Sequence, residues 1–339
     1  MKVEPLSDVR NRLAAIDVTA PARLHLGFLD LDGGLGRRFG SLGLAIDQPS
    51  TRVIVSRAPG SGARHIAVGG EAARALKALE RFTDVLRLQG RYRAEVLHAI
   101  PPHAGLGSGT QLAIAIGVGL ARLEGLAQTA RSLAEIQERG ARSAIGMAAF
   151  EDGGFIVDGG RGTGEHAPPV LMRSDFPSDW RVLLVLDRRA EGVHGDGELV
   201  AFAKLPPFKP ATAAHLCHLM MMRVMPAAIE SDLASFGNGL TEIQQIIGGH
   251  FAAAQGGSPW TSPAVGRIVA KMGQAGATGL GQSSWGPTGF AFVENEDAAQ
   301  RLYCSFVQDA MAEGLEILIA RGRNAGARVD RIATSPTKA

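Results

Sequence analysis

Apolar and polar positions change period several times along the chain, and each change predicts an element. Residues 1–12 form a polar lead-in. The segments Leu13–Ala20 and Leu42–Asp47 read as strands, and Thr51–Arg57 alternates with the period of two of a half-buried strand. Across Glu71–Gln89 the apolar Ala72, Leu76, Leu79, Phe82 and Leu86 form one stripe, which predicts an amphipathic helix. Tyr92–Ile100 reads as a strand stopped by Pro101-Pro102, and Gln111–Glu124 as a helix apolar on most sides and therefore buried. A helix over Ala130–Arg139, a strand over Gly153–Asp158 and a loop over Gly159–Gly164 follow. The run Val182–Leu186 inside Arg181–Asp187 predicts a fully buried strand opening a second half. Beyond it, helices are expected over Ala211–Met222, Pro226–Ala254 (interrupted near Gly237-Asn238-Gly239), Pro263–Met272 and Asp297–Glu313. Strands are expected over Gly289–Glu294 and Leu315–Ala320. Strands and helices mix without a strict βαβ rhythm. The expected class is α+β in two layered domains, residues 1–170 and 171–339, with the boundary between Gly160 and Trp180.

Composition narrows the function. The net charge is +2, too balanced for a nucleic-acid binder that works through a basic surface. Two cysteines, Cys217 and Cys304, cannot form a disulfide framework, so a reducing compartment is expected. The longest purely aliphatic run, Leu112–Ala121, is half the ~20 residues a membrane helix needs. The charged N-terminus does not resemble a signal peptide. These features predict a cytoplasmic protein with neither nucleic-acid nor membrane partners. Glycine is abundant, 44 of 339 residues, and clusters as in tight turns and backbone that approaches a ligand.

The sharpest cluster is Pro101-Pro-His-Ala-Gly-Leu-Gly-Ser-Gly-Thr-Gln111, between a strand and a helix. Gly105, Leu106, Gly107, Ser108, Gly109 and Thr110 would turn backbone N–H groups inward, joined by the unpaired N–H groups and positive dipole end of the helix. That is an anion cradle suited to phosphate or diphosphate, with Ser108 and Thr110 adding hydroxyls. A plain glycine turn with a Ser/Thr cap is the bland alternative. The spacing is neither that of a P-loop nor that of a dinucleotide fingerprint.

This segment resembles the phosphate loop of the GHMP kinase superfamily, Pro-x-x-x-Gly-Leu-Gly-Ser-Ser, but Gly109-Thr110 replaces the usual continuation. The region Gly279–Gly289 likewise lacks the consecutive glycines of the superfamily's third motif. Both departures resemble one branch, β-ribofuranosylaminobenzene 5'-phosphate synthase. Pro21-Ala-Arg-Leu-His-Leu-Gly-Phe-Leu-Asp30, Ala148–Gly160, Leu240-Thr-Glu-Ile-Gln244 and Gly281-Gln-Ser-Ser-Trp-Gly-Pro-Thr288 resemble it too. The resemblance runs from about residue 17 to 322. It implies a two-domain GHMP-kinase-like α+β fold and a homodimer. It also implies a Mg²⁺-assisted condensation of 5-phosphoribosyl 1-diphosphate (PRPP) with 4-aminobenzoate, or 4-hydroxybenzoate in some relatives. Carbon dioxide and pyrophosphate would leave, in methanopterin biosynthesis. An ATP-dependent small-molecule kinase and a non-enzymatic phosphate-ligand sensor are the alternatives.

Such chemistry needs cations and N–H donors for the pyrophosphate, carboxylates for Mg²⁺, and a cation beside an apolar slot for the benzoate. The loop Asp30–Gly40 offers Asp30 and Asp32 for the metal or the ribosyl cation, and Arg37 and Arg38 for pyrophosphate or benzoate. The resemblance singles out Asp30 and Arg37 as catalytic positions. Arg23 and His25 share a face if their segment is a strand, and His25 could be a proton carrier, a polar wall or a core histidine. Gln282, Ser283, Ser284 and Trp285 could hold the 5'-phosphate or the benzoate, with Trp285 stacking on the arene or plugging a core gap. Glu151, Asp152 and Glu242 fit turn or helix-face roles as readily as a site. His215 and His218, beside Cys217, have a spacing that permits a metal but lack a partner motif.

Overall fold

The computed structural model describes residues 14–60, 65–138, 140, 142–164, 167–190, 192 and 205–333; the polar lead-in lies outside them. Eleven strands and nine α-helices build two sheets among the described residues. The strands are β1 (Ala14–Asp30), β2 (Phe39–Arg57), β3 (Ile66–Gly69), β4 (Tyr92–His98), β5 (Phe155–Asp158), β6 (Val170–Ser174), β7 (Arg181–Leu186), β8 (Thr278–Gln282), β9 (Thr288–Val293), β10 (Glu316–Arg321) and β11 (Arg328–Ala333). The helices are α1 (Ala72–Val85), α2 (Ser108–Glu124), α3 (Ala130–Ile136), α4 (Ile145–Glu151), α5 (Pro210–Leu219), α6 (Met225–Glu230), α7 (Leu233–Phe251), α8 (Pro263–Gln274) and α9 (Glu296–Ala312). None is long and apolar enough to cross a membrane.

The first sheet runs β11-β1-β2-β4-β3, with β5 on β2 and β6 on β5; the second runs β10-β7-β9-β8. The last strand therefore returns to pair antiparallel with the first, Ala14 opposite Ala333. The strand expected to end at Ala20 continues to Asp30, because Leu24, Leu26 and Phe28 keep facing a core shared with α7 and the second sheet. A register shift between His25 and Gly27 bulges this strand beside the site.

The α1 stripe, α2 and α3 pack against the first sheet around Val53, Leu79, Phe82 and Ile114. The second sheet packs against α8 and α9 around Val185, Ile268 and Ala299. The long helix expected from Pro226 is broken at Ser231, which has a φ of 60°, and restarts on an Asp232 cap that accepts from the Ser235 N–H. Gly237 and Gly239 do not interrupt it. A Cβ on Gly237 would stand 2.0 Å from the Thr278 hydroxyl, and one on Gly239 2.8 Å from Val224. These glycines serve close packing between elements. One wide π-turn, Met220–Val224, precedes Pro226, whose missing N–H removes a helical donor there.

Candidate active site

The glycine loop is shorter than the sequence suggests, because α2 begins at Ser108 with Gly107 as its left-handed cap, φ 83°. Ser108, Gly109 and Thr110 thus form the helix's first turn, where backbone N–H groups have no intrahelical acceptor. The Gln111 N–H closes the first helical bond on the Gly107 carbonyl at 3.0 Å. The positive end of α2 therefore opens at the end of the loop.

Gly105 is the crossing point of three backbones. Its carbonyl accepts from the Arg23 guanidinium and, at 2.7 Å, from the Ser283 hydroxyl. The same hydroxyl accepts the His25 N–H at 3.0 Å, and the Ser284 N–H donates to the His25 carbonyl at 3.3 Å. The Gly192 N–H donates to the His103 carbonyl at 3.0 Å, and a Cβ on Gly192 would stand 2.5 Å from the Trp285 carbonyl oxygen. Strand β1, the phosphate-type loop and the β8–β9 turn are thereby stitched into one wall.

That wall bounds a cavity of about 280 Å³, lined among others by Arg23, His25, Thr110, Arg142, Ser284 and Trp285. Ser284 sits at φ 56°, a conformation an L-residue adopts at some cost and one that clusters at functional sites. Trp285 is buried and stacks on Phe251 at 4.4 Å. It both plugs the core and faces the cavity.

His25 is 3% exposed, and neither ring nitrogen has a hydrogen-bond partner among the described residues. Burial lowers its pKa to about 3, and Arg23 and Arg142 push the same way. It is therefore a neutral imidazole at neutral pH, one nitrogen donating and one accepting. Because the folded state resists protonation, stability is complete above the ordinary histidine value of 6.5 and falls as pH drops from there towards 3. The expected slope is about 1.4 kcal/mol per pH unit. Denaturation midpoints between pH 7 and 5 should therefore fall more steeply in the wild type than in His25→Gln. Parallel curves would show that His25 protonates freely in the folded protein.

The other expected site residues separate into groups. Gln282 and Ser283 lie at the site, yet their polar groups are committed to the protein rather than to a ligand. Gln282 Oε1 accepts the Thr261 N–H at 2.6 Å and its Nε2 donates to Gln255 and to the Ser284 carbonyl. Gln244 Oε1 accepts the Gln282 N–H, and its amide donates to Leu26. Arg37 does not line the cavity; its exposed guanidinium clamps the Gly159 and Gly160 carbonyls, both at 2.7 Å. Arg38 donates to the Leu31 carbonyl at 3.0 Å and lies over Phe39 at 5.6 Å. Asp30 Oδ1 accepts from the Asp32 and Gly33 N–H groups, and Asp32 Oδ2 from Gly34, so both carboxylates shape this turn.

Elsewhere, Glu151 accepts from the Ala130 N–H at the start of α3, and Glu242 pairs with His215 at 2.7 Å. No group of three His, Cys, Asp or Glu side chains stands ready for a metal among the described residues.

The main residue not anticipated is Arg142. It precedes α4 between Gly140 and Gly146, which also line the cavity, in a segment without a run of glycines. The buried Asp158 fixes that segment, accepting from Ala144 N–H at 2.9 Å and the Ser143 hydroxyl at 3.0 Å. Asp158 also accepts from Ser41 and Gly160, and burial pushes its carboxyl above the usual range.

Residues 70–154 match the GHMP kinases N terminal domain and residues 224–313 the GHMP kinases C terminal domain. The structure resembles a homoserine kinase from Cytophaga hutchinsonii with a TM-score of 0.66, covering 97% of this chain and 100% of that one at 16% identity. It resembles mevalonate diphosphate decarboxylase from Staphylococcus aureus with a TM-score of 0.62, covering 93% and 98% at 15% identity. These likenesses concern the fold. In sequence, the chain is 32% identical over 328 residues to the β-ribofuranosylphenol 5'-phosphate synthase of Methanothermobacter thermautotrophicus, covering 91% of this chain and 97% of that protein. The protein of that name from Archaeoglobus fulgidus is 31% identical over 331 residues, covering 91% and 98%. With this wall, these two domains and relatives matched nearly end to end, the chain belongs to the β-ribofuranosylphenol 5'-phosphate synthase family of the GHMP kinase fold.

Proposed function

We propose that this protein is a decarboxylating phosphoribosyltransferase acting on PRPP and a para-substituted benzoate in methanopterin biosynthesis. With 4-aminobenzoate the product is β-ribofuranosylaminobenzene 5'-phosphate; the phenol in the relatives' name corresponds to 4-hydroxybenzoate. The observation that carries this reading is the cavity itself, where Arg23, Arg142 and the start of α2 gather around an imidazole kept neutral by burial.

Such a cavity suits a polyanion that leaves. The bond from the anomeric carbon to the diphosphate oxygen breaks, and its electron pair departs with the diphosphate. Arg23, Arg142 and the N–H groups at Ser108, Gly109 and Thr110 stabilise that developing charge. The ring carbon bearing the carboxylate bonds to the anomeric carbon. The ring–carboxylate bond then breaks, and its electron pair restores aromaticity as carbon dioxide leaves. No proton is removed from the ring, so His25 needs no basic role. Its ring nitrogens, unpartnered among the described residues, instead suit hydrogen bonds to the sugar or phosphate. Arg37 acts through the 159–160 turn it clamps.

Mg²⁺ fits as an ion carried on the diphosphate, which needs one or two protein carboxylates. Asp30 keeps an oxygen outside its turn bonds and would hold it, whereas Asp32 lines a neighbouring cavity. When bound, the ion would neutralise charge on the leaving group.

The test is release of labelled carbon dioxide from carboxyl-labelled 4-hydroxybenzoate and 4-aminobenzoate, each with Mg²⁺ and PRPP, beside tubes with ATP replacing PRPP. Release that requires PRPP is expected. No release with either acid would overturn the reading and favour the kinase alternative.

A further inference from the structure

A second cavity, about 520 Å³, adjoins the first. Phe28 lines the first and Phe39 the second, with ring centroids 5.8 Å apart, and Arg142 lines both. The two spaces differ in chemistry. The first is bounded mostly by polar groups and the helix start, with Phe28, Met147 and Trp285 as its apolar part. The second brings together Phe39, Phe208, Arg38 and Arg142, with Asp32 and His250 also in its wall.

This second set is oriented rather than loose. Arg38 is fixed by its bond to the Leu31 carbonyl and lies over the Phe39 ring. Phe208 is 6% exposed and meets His250 edge-on at 4.9 Å. A phosphosugar gains little from phenylalanine rings. A flat ring with one anionic end gains from both features, aromatic contact for the ring and a planar guanidinium for the carboxylate. The volume falls in the ~300–1,000 Å³ range of ligand cavities.

The geometry points to the second cavity as the site of the aromatic acid, a para-substituted benzoate, with its ring against Phe39 and Phe208 and its carboxylate on Arg142 at the junction. This rests on the reaction proposed above and adds an orientation to it. The ring carbon that must bond to the sugar carries the carboxylate, so that end has to face the cavity holding the anomeric carbon. Arg142 stands where the two spaces meet. The para substituent is then left to Asp32 and His250, so these two side chains meet the amino or hydroxyl group.

The test needs no turnover. The full chain is irradiated with 4-azidobenzoate, whose reactive nitrogen occupies the para position, and the labelled peptides are identified. Labelling is expected within 31–39, 205–208 or at His250, with most of it lost when excess 4-hydroxybenzoate is present. Labelling confined to 101–110 or 283–286, or labelling that 4-hydroxybenzoate does not displace, would overturn the assignment. If labelling is as expected but no carbon dioxide is released with PRPP, the reaction fails and the site stands. In an active enzyme, Phe208→Ala should raise the benzoate KM about tenfold and leave the PRPP KM within about twofold; an equal rise in both would overturn it.

Discussion

The Arg142→Gln enzyme is expected to fold and to lose about 10²–10³-fold in kcat/KM, the usual effect of removing one preorganised donor from a developing anion. Glutamine keeps much of the length and a donor but removes the charge. The loss should appear with PRPP and with the benzoate alike, because Arg142 lines both cavities. A second readout does not depend on catalysis. Arg142 is one of two cations that lower the pKa of His25, so its removal should move the His25 ring resonances towards a higher titration midpoint. A variant with wild-type kcat/KM would take Arg142 out of the site. Loss of activity with an unmoved His25 midpoint would show that Arg142 does not act on the cavity electrostatically.

The contrast between Arg142 and Arg37 shows what could be read from the chain. Arg37 is conspicuous in sequence, in a doubly basic glycine loop, yet its guanidinium is directed to two carbonyls across the loop. Charge is legible in sequence; direction is set by tertiary partners. Arg142 has only the isolated Gly140 and Gly146 near it, and its place depends on Asp158 gripping Ser143 and Ala144. Arg23 and His25 were legible as a pair because β1 does run through them, and alternation along a strand survives long-range packing.

The elements missed have similar causes. Strand β8, Thr-Gly-Leu-Gly-Gln, has little strand propensity, and Gly281 is required because a Cβ there would stand 2.4 Å from the Gln244 side chain. Strand β11 is exposed and charged, as an edge must be, and is specified by its register on β1 rather than by its own pattern. Strands β3 and β6 and helix α4 are each seven residues or fewer, too short for periodicity to separate from loop.

Gly105→Ala should be the most damaging small substitution in the wall, and Gly125→Ala, at the other end of the same helix, separates its causes. Both residues adopt left-handed backbone, φ 80° and 69°. Alanine therefore costs about 1 kcal/mol at either place. Around Gly125 nothing among the described residues lies within 4 Å of an added Cβ, so that variant should lose only this much and keep its turnover. At Gly105 the added carbon would stand 2.2 Å from the Ser283 carbonyl oxygen and 2.9 Å from the Gly286 Cα. Backbone cannot rotate away as a side chain can, so the two loops must separate, costing a further ~1–3 kcal/mol. Separation moves the Gly105 carbonyl off Arg23 and Ser283, and with it the donors at the start of α2. A displacement of about 1 Å at a positioned group costs roughly 10²-fold in rate. Thermal denaturation and kcat/KM should therefore fall together in Gly105→Ala, whereas Gly125→Ala shows only the small thermal loss. Equal thermal losses with turnover kept in both would mean that the loop crossing yields freely, and that its glycines do not hold the anion cradle in place.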